Sequence, residues 1–239
     1  MKLSKQNWEN LLELFKAVSS TGFSDVIVRS NLIRQFNDSK NLLIEVSVPE
    51  IQEIEFGLVK NYIPVLKTFS PQEDDQETEI NLSDSEITIS DGESELKFNR
   101  PDIDLLACDY VSDQRFSKLG LDRATVLMTL ELDERLIQKI STIQNVFSAN
   151  TFSLETSNQK TSLKIESWSK TGRSTIKRAD SQIQEKKLVG NIMLFLFPFD
   201  FSTNPVFEVI TTESKRTLGR VTGTILNRNV SLFSILTKQ

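Results

Sequence analysis

Residues 126–168 read VLMTLELDERLIQKISTIQNVFSANTFSLETSNQKTSLKIESW. The first seven residues predict a strand, and the next fifteen, 133–147, predict an amphipathic helix. The apolar residues of that helix recur at three- and four-residue steps and form one stripe: Leu136, Ile140, Ile143 and Phe147. Short apolar runs at 152–155 and 162–168 predict two further strands. The stretch therefore predicts a strand, a helix and two more strands in succession.

The residues that follow this stretch predict more strands and almost no helix. Strands are expected at 174–178, 188–197 and 206–212, and the last strands at 220–236. Residues 200–203 allow at most one helical turn.

The first half of the chain repeats this order, although the residue identities hardly do. Ser4 can cap a helix that runs to Ser19, in which Trp8, Leu11, Leu12, Phe15 and Val18 form one apolar stripe. Strands are then expected at 26–29, 32–36, 42–48 and 51–59.

A second short helix is expected from an N-cap at Asn61 to about Phe69, because Pro64 falls in its first turn, where proline is tolerated.

Residues 78–99 alternate between apolar and polar side chains and predict three one-sided antiparallel strands. Asp91 and Gly92 supply a hairpin turn between the last two. The pattern breaks at 101–121, which reads as a long connector. We therefore expect an α+β protein with two similar domains, residues 1–104 and 122–239, joined by a connector at 105–121.

Composition excludes several chemistries. The 239 residues contain no His and one Cys, Cys108. Without imidazole there is no Ser-His-Asp or Cys-His nucleophile and no His-containing zinc site, so the usual hydrolases and metalloenzymes lose most of their support. No apolar run reaches the length of a membrane span, and the N-terminus lacks a secretory apolar stretch. We expect a soluble protein, and its single Cys fits a reducing cytoplasm best.

Charge is distributed unevenly. Residues 1–120 hold 12 Lys and Arg against 22 Asp and Glu, and residues 121–239 hold 16 against 11. Ten of the acids lie between residues 73 and 95 without any Lys or Arg, and eight basic residues lie between 160 and 187. A solvated acidic rim is the simplest interpretation of the acidic run.

Three features resemble DNA polymerase sliding clamps, and most closely those of T-even-type bacteriophages. They are the opening Met1-Lys2-Leu3-Ser4-Lys5 before an amphipathic helix, the stretch 61–69 after a strand, and the order of elements over 126–168. The resemblance extends over most of the chain and rests on element order and hydrophobic pattern. It implies a non-enzymatic, ring-forming homotrimer without catalytic residues, cofactor or metal. The short helices would line the inner face of the ring, which closes around duplex DNA to tether a polymerase. If the protein is viral, the compartment is the host cell cytoplasm.

In such a ring, cationic side chains on the helices would contact phosphates without reading bases. The candidates are Lys2, Lys5, Lys16, Lys60, Lys67, Arg135 and Lys139. A mixed solvated face is the alternative, and Glu9 and Glu13 favour it on the first helix. For Arg135 and Lys139 the two interpretations weigh equally.

The resemblance also implies a head-to-tail contact in which the strand at 94–99 pairs with the strand at 174–178 of the next subunit. Their charges are complementary. The candidate contact residues are Glu93, Glu95, Leu96 and Phe98 on one side and Arg173, Ile176, Lys177 and Arg178 on the other. The alternative is that the basic stretch is an exposed loop or touches DNA directly.

Clamp partners dock apolar peptide anchors beneath the connector, beside the C-terminal strand. The resemblance places such a pocket at Leu105, Leu106, Tyr110, Leu232, Phe233 and Ile235, and implies DNA polymerase and a clamp loader as partners. Buried core is the alternative for these apolar residues. Two other classes stay open for the whole protein: a metal-dependent nuclease using the carboxylates of 73–79, and a viral structural β protein.

Overall fold

The computed structural model describes residues 1–51, 56–59, 62–71, 73, 76–100, 110–121, 123–166 and 173–239; for residues 56–59, 166, 173, 174 and 178 only the backbone is described. The described chain forms two compact units. The first comprises residues 1–38 and 46–110, and the second comprises residues 39–45 and 111–239. None of the described helices is long and apolar enough to cross a membrane.

The helices and strands up to residue 110 are β1 (Lys2–Ser4), α1 (Lys5–Ser20), β2 (Asp25–Val28), β3 (Leu32–Phe36), β4 (Leu42–Ser47), β5 (Phe56–Val59), α2 (Ile63–Leu66), β6 (Glu77–Leu82), β7 (Glu86–Ser90) and β8 (Glu95–Asn99). A 3₁₀ turn at Lys67–Phe69 continues α2.

After residue 110 come α3 (Asp113–Ser117), β9 (Thr125–Glu131), α4 (Glu134–Phe147), β10 (Thr151–Ser157), β11 (Lys160–Glu166), β12 (Arg173–Asp180), β13 (Lys187–Asn191), β14 (Val206–Thr211), β15 (Thr217–Ile225), β16 (Arg228–Ile235) and β17 (Thr237–Lys238). Two 3₁₀ turns, Ile192–Phe195 and Phe201–Thr203, lie between β13 and β14.

In the first unit, β1, β6, β7 and β8 form one antiparallel sheet in that order. Helix α1 packs against β1, β2, β6 and α2. It begins where the Ser4 hydroxyl accepts a hydrogen bond from the Asn7 N–H. Its predicted apolar stripe, Trp8 and Phe15 included, is fully buried, which confirms the core assignment of that helix.

A buried glutamine completes the hydrogen bonding of β2. The Ile27 N–H donates to Gln35 Oε1 (2.8 Å), and Gln35 Nε2 donates to the carbonyl of Asp25 (2.7 Å). Gln35 is fully buried. Strand β5 pairs with one edge of β2. At the opposite edge of β2, the Gln35 amide makes the hydrogen bonds that a neighbouring backbone would otherwise make.

Gln35→Ala is expected to lower the free energy of unfolding by about 2–4 kcal/mol, because it removes the hydrogen bonds that Gln35 makes to two buried backbone groups. Urea denaturation followed by circular dichroism measures this change. The matched control is Gln6→Ala, which removes an exposed amide that donates to Asn10 Oδ1 and should change stability by less than about 0.5 kcal/mol. Equal effects of the two variants would contradict this role for Gln35.

In the second unit, α4 begins one residue after the predicted start, because Asp133 is its N-cap: Asp133 Oδ1 accepts from the Leu136 N–H (2.6 Å). The helix buries Leu136 and Ile140 and packs against β11 and β12. One antiparallel sheet has the order β12-β11-β10-β13-β17, and the strands β4, β16, β15, β14 and β9 are successive neighbours in another.

The structure corrects the predicted strand at 188–197. It ends at Asn191, whose side chain accepts from the Met193 N–H (2.9 Å) and caps a 3₁₀ turn. Ile192, Leu194 and Phe195 are all buried, so the apolar run packs inward as a turn instead of alternating between two faces. The connector region likewise contains a helix that was not predicted, α3, capped by the Ser112 hydroxyl.

Candidate nucleic-acid interface and subunit edges

Glu13 joins two of the predicted cationic residues of the first unit. Its carboxylate lies 3.4 Å from Lys16 Nζ and 3.0 Å from Lys67 Nζ, although the two lysines are 51 positions apart in the sequence. The hydrogen bond from Lys67 is the main reason that the pKa of Glu13 lies below its ordinary value. The carboxylate is therefore ionised at neutral pH and cancels part of the positive charge of α1 and the turn after α2.

The remaining cationic candidates of this unit lie near the start of the chain. Lys2 is exposed on β1, 4.0 Å from Glu77, and Lys5 is the first residue of α1 and is partly buried. Lys60 lies outside the described residues. The described face of α1 thus carries both signs of charge.

Helix α4 presents a different surface. Arg135 and Lys139 are exposed on successive turns, and no ion pair joins either of them to an acid of the described residues. Thr142 and Val146 continue the same stripe, and Val146 is 69% exposed. This stripe offers two unpaired cations on the solvent side of a well-formed helix.

Among the described residues, β8 is an edge strand of its sheet in the first unit, and β12 is an edge strand of the sheet that contains β10 and β11 in the second unit. On β8 the Glu95 carboxylate lies 2.7 Å from Lys97 Nζ, and this contact raises the pKa of Lys97. Glu93 is exposed in the preceding turn, and Leu96 is partly buried.

On β12, Ile176 is partly buried and Lys177 Nζ donates to the carbonyl of Glu131 (3.3 Å). The side chains of Arg173 and Arg178 lie outside the described residues. Both strands present a row of backbone groups that a further strand could pair with.

Sequence reasoning missed an aromatic contact beside β8. Tyr62, at the start of α2, is 37% exposed and its ring centroid lies 4.9 Å from that of Phe98. Val65, one turn later, is 43% exposed. The β8 edge is therefore flanked by an apolar surface, which an exposed tyrosine next to a predicted helix start does not reveal in the sequence.

The six residues of the predicted peptide pocket fall into four groups in the structure. Leu232 and Phe233 are buried, and Phe233 packs edge-on against Phe116 with ring centroids 6.2 Å apart. Ile235 is 52% exposed, whereas Leu105 and Leu106 lie outside the described residues. Tyr110 belongs to the first unit, where the Arg29 guanidinium lies 4.8 Å from its ring centroid.

Ile235 lines an open cavity of about 370 Å³ within the second unit, together with Asn41, Asn191, Met193 and Thr237. Asn191 Nδ2 donates to Asn41 Oδ1 (2.9 Å) at its rim. The sequence did not point to Asn41, because that residue is about 190 positions from Ile235.

No group of three His, Cys, Asp or Glu side chains within the described ranges could hold a metal ion.

No protein-family model matches the sequence, and no curated protein matches it. Solved structures do match. Over 100% of this chain and 99% of the other, it is similar to a chain of the PCNA2-PCNA3 complex of Sulfolobus tokodaii, with 14% identity and a TM-score of 0.59. A structure of A. fulgidus PCNA with the C-terminal region of FEN-1 gives 8% identity and a TM-score of 0.58 over 100% and 98%.

The DNA polymerase sliding clamp of Pseudomonas aeruginosa gives 12% identity and a TM-score of 0.65, and here the chain spans 66% of the longer protein. The chain therefore has the sliding-clamp fold, an α+β arrangement of antiparallel sheets with few short helices, as the sequence predicted.

Proposed function

We propose that this protein is a DNA sliding clamp: a non-enzymatic homotrimer, without cofactor, that encircles duplex DNA and tethers the replicative DNA polymerase. The observation that carries the proposal is the agreement with an archaeal clamp chain from end to end, over 100% of this chain and 99% of that one. Two compact units in each subunit fit a ring of three copies.

The DNA contact of this proposal centres on α4. Arg135 and Lys139 are exposed without acidic partners among the described residues, as a cation that contacts phosphate should be. Lys16 and Lys67 would contribute less to DNA affinity, because the Glu13 carboxylate forms ion pairs with both of them. Acidic side chains elsewhere do not oppose binding, since the field near DNA depends on local charge.

The subunit contact of this proposal pairs β8 with β12 of the next copy, head to tail. Glu93 and Glu95 would face the basic side of β12, while Phe98, Tyr62 and Ile176 supply apolar area. Exposed ion pairs contribute about 0–1 kcal/mol each. The charges would therefore fix the register of the two strands, while backbone pairing and apolar burial supply most of the affinity between subunits.

For partners we propose the polymerase and a clamp loader, which dock a peptide at the Ile235 cavity. Support comes from its position beside β16 and from the archaeal PCNA that binds the C-terminal region of FEN-1. The pattern of the N-terminal residues supports a clamp of the T-even bacteriophage type, working in the host cytoplasm.

Native mass spectrometry at micromolar concentration tests the proposal. The expected mass is three times 27.2 kDa. Metal-dependent nuclease activity of a monomer would favour the enzyme alternative, and large assemblies would favour a structural β protein.

Reversing the charges of one edge is expected to weaken subunit association, and reversing both edges together is expected to restore part of it. Glu93→Lys with Glu95→Lys, or Lys177→Glu with Arg178→Glu, should each shift the trimer toward monomer, and more strongly at low salt where screening is weak. The quadruple variant restores opposite signs and should recover part of the association, as groups in contact do. Native mass spectra at 50 and 300 mM salt measure both effects, and a quadruple variant as dissociated as the two doubles combined would exclude this pairing.

Glu13→Gln is expected to strengthen DNA binding several-fold at low salt and to steepen its salt dependence, because Lys16 and Lys67 become available to phosphates. Fluorescence anisotropy with labelled duplex between 50 and 200 mM salt measures both. Glu9→Gln is the matched control on the same helix, since it removes the same charge without releasing a lysine. Identical behaviour of the two variants would exclude α1 from the DNA contact.

A further inference from the structure

A second cationic surface lies in the second unit, away from α4. A cavity of about 490 Å³ opens on the sheet that contains β10, β11 and β13. Its charged lining consists of Lys160, Lys164, Lys186, Lys187 and one acid, Glu155. We call these five residues the lysine cavity.

The lysine cavity lies on the face of the sheet opposite the core. Along β10 and β11 the buried residues alternate with the cavity residues: Leu154 precedes Glu155, and Leu163 precedes Lys164. Successive side chains of a strand point to opposite faces. The apolar face is the one that the buried stripe of α4 covers, so the lysines lie on the other side from Arg135 and Lys139.

Register brings the charged residues together from three strands and a loop: the lysines lie on β11, on β13 and just before β13, and Glu155 lies on β10. Glu155 is directly opposite Ser162 on β11 and opposite Lys187 on β13. Lys186 comes from the segment before β13, and Lys160 follows the tight turn of Asn158 and Gln159, both of which have positive φ. Two-residue turns of this kind fix the hairpin, so the positions of the charges are set by the sheet.

Glu155 compensates only part of this charge. It forms an ion pair with Lys164, whose side chain is 17% exposed. Lys160 and Lys186 are exposed, and neither forms an ion pair with an acid of the described residues; Asp180 is opposite Lys160 in the register without reaching it. The cavity therefore holds several like charges close together, which an anionic ligand would stabilise.

We propose that the lysine cavity binds an extended acidic peptide segment of a partner protein. The described residues of the lining include no aromatic side chain on which a base could stack, so a nucleic-acid single strand is disfavoured. Ser162 and the neighbouring Thr and Asn side chains add neutral donors beside the ammonium groups. This inference goes beyond the clamp function, because the cavity lies on the face opposite the proposed DNA-contact helix.

The test is fluorescence anisotropy of the full-length protein with a labelled decapeptide of alternating Glu and Ser, without DNA. Binding is expected, with an affinity that falls as salt rises. Lys160→Glu with Lys186→Glu should weaken it roughly tenfold or more, because two cationic donors become anionic. Lys118→Glu with Lys215→Glu is the matched control, since it makes the same charge change at exposed positions of the same unit, and it should leave binding unchanged.

Three outcomes would overturn the proposal: no binding to the wild-type protein, equal loss in both double variants, or tighter binding of a ten-nucleotide polythymidylate with the same dependence on Lys160 and Lys186. Thermal unfolding of each variant checks that the fold is retained. Native mass spectra of the same samples report the oligomeric state separately, so failure here is distinguishable from failure of the proposed ring.

Discussion

Lys97→Pro is expected to convert the proposed trimer to monomers at micromolar concentration while leaving the subunit folded. Two backbone hydrogen bonds, one beyond each end of the β7–β8 pair, fix which residues of β8 bond to β7. The Asp91 N–H donates to the Ser94 carbonyl, and the Arg100 N–H donates to the Ser85 carbonyl. The register of β7 and β8 places Leu96 opposite Ile89 and Phe98 opposite Ile87.

Hydrogen-bonded pairs alternate along an antiparallel ladder, so the N–H of Lys97 points away from β7 toward the open side of the sheet. Proline at such a position removes only the outward donor. Losing an inter-subunit hydrogen bond and leaving its acceptor unpaired costs roughly 2–4 kcal/mol per interface. Each contact would then weaken by about 30- to 1000-fold.

Lys97→Ala is the matched control for this substitution. It removes the same side chain and the same contact with Glu95 but keeps the backbone N–H, so it should remain a trimer. Sedimentation velocity measures both variants, and circular dichroism checks their folding. A trimeric Lys97→Pro variant, or a monomeric Lys97→Ala variant, would show that β8 does not contribute its backbone to the contact.

Arg135→Glu combined with Lys139→Glu is expected to abolish retention on DNA without unfolding the protein. Both side chains are exposed and lie off the buried stripe of Leu136 and Ile140, so the core is unchanged. A trimer would lose six cations. Because each phosphate contact contributes about −0.9 to the slope of log K against log salt, the slope should fall in magnitude by up to about 5.

The matched control for this variant is Lys215→Glu with Arg216→Glu, which makes the same charge change in the exposed turn between β14 and β15. Electrophoretic mobility shift at 50, 100 and 200 mM salt compares the three proteins. An unchanged salt slope in the α4 variant would mean that Arg135 and Lys139 form an ordinary solvated face.

Helix α4 and the strands β6 to β8 could be predicted from the sequence because their information is local. The stripe of Leu136 and Ile140 has the helical period, Asp133 is a standard cap, and the alternation of Ile87 and Ile89 has the period of a one-sided strand. Where the buried residues recur with the period of a helix or a strand, the sequence is sufficient to predict that element.

The apolar run at 188–197 is a case in which the sequence was not sufficient to predict the element. A run of consecutive apolar residues has no period that separates a strand from a turn, and the choice was made by the Asn191 side chain, which caps the 3₁₀ turn. The same holds for Gln35, whose partners lie in another strand. Such residues depend on tertiary contacts that pattern does not encode.

For the candidate site, the sequence predicted which types of residue take part but not which of them contact one another. Lys16 and Lys67 are visible as cations in the sequence, but their shared contact with Glu13 depends on how α1 and α2 pack. Phe98 was placed on the subunit edge, whereas its neighbour Tyr62 was not recognised. The lysine cavity combines residues of three strands, and only the charge count of 160–187 hinted at it.

Encirclement is the central claim, and retention on circular DNA tests it most directly. The protein is incubated with a nicked plasmid at micromolar concentration, and bound protein is separated by gel filtration at 200 mM salt, before and after a single-site cut. A ring should stay on the circle, leave the cut plasmid, and stay again when both ends are blocked with bound streptavidin. Equal retention on circular, cut and blocked DNA would mean ordinary surface binding and would contradict the clamp.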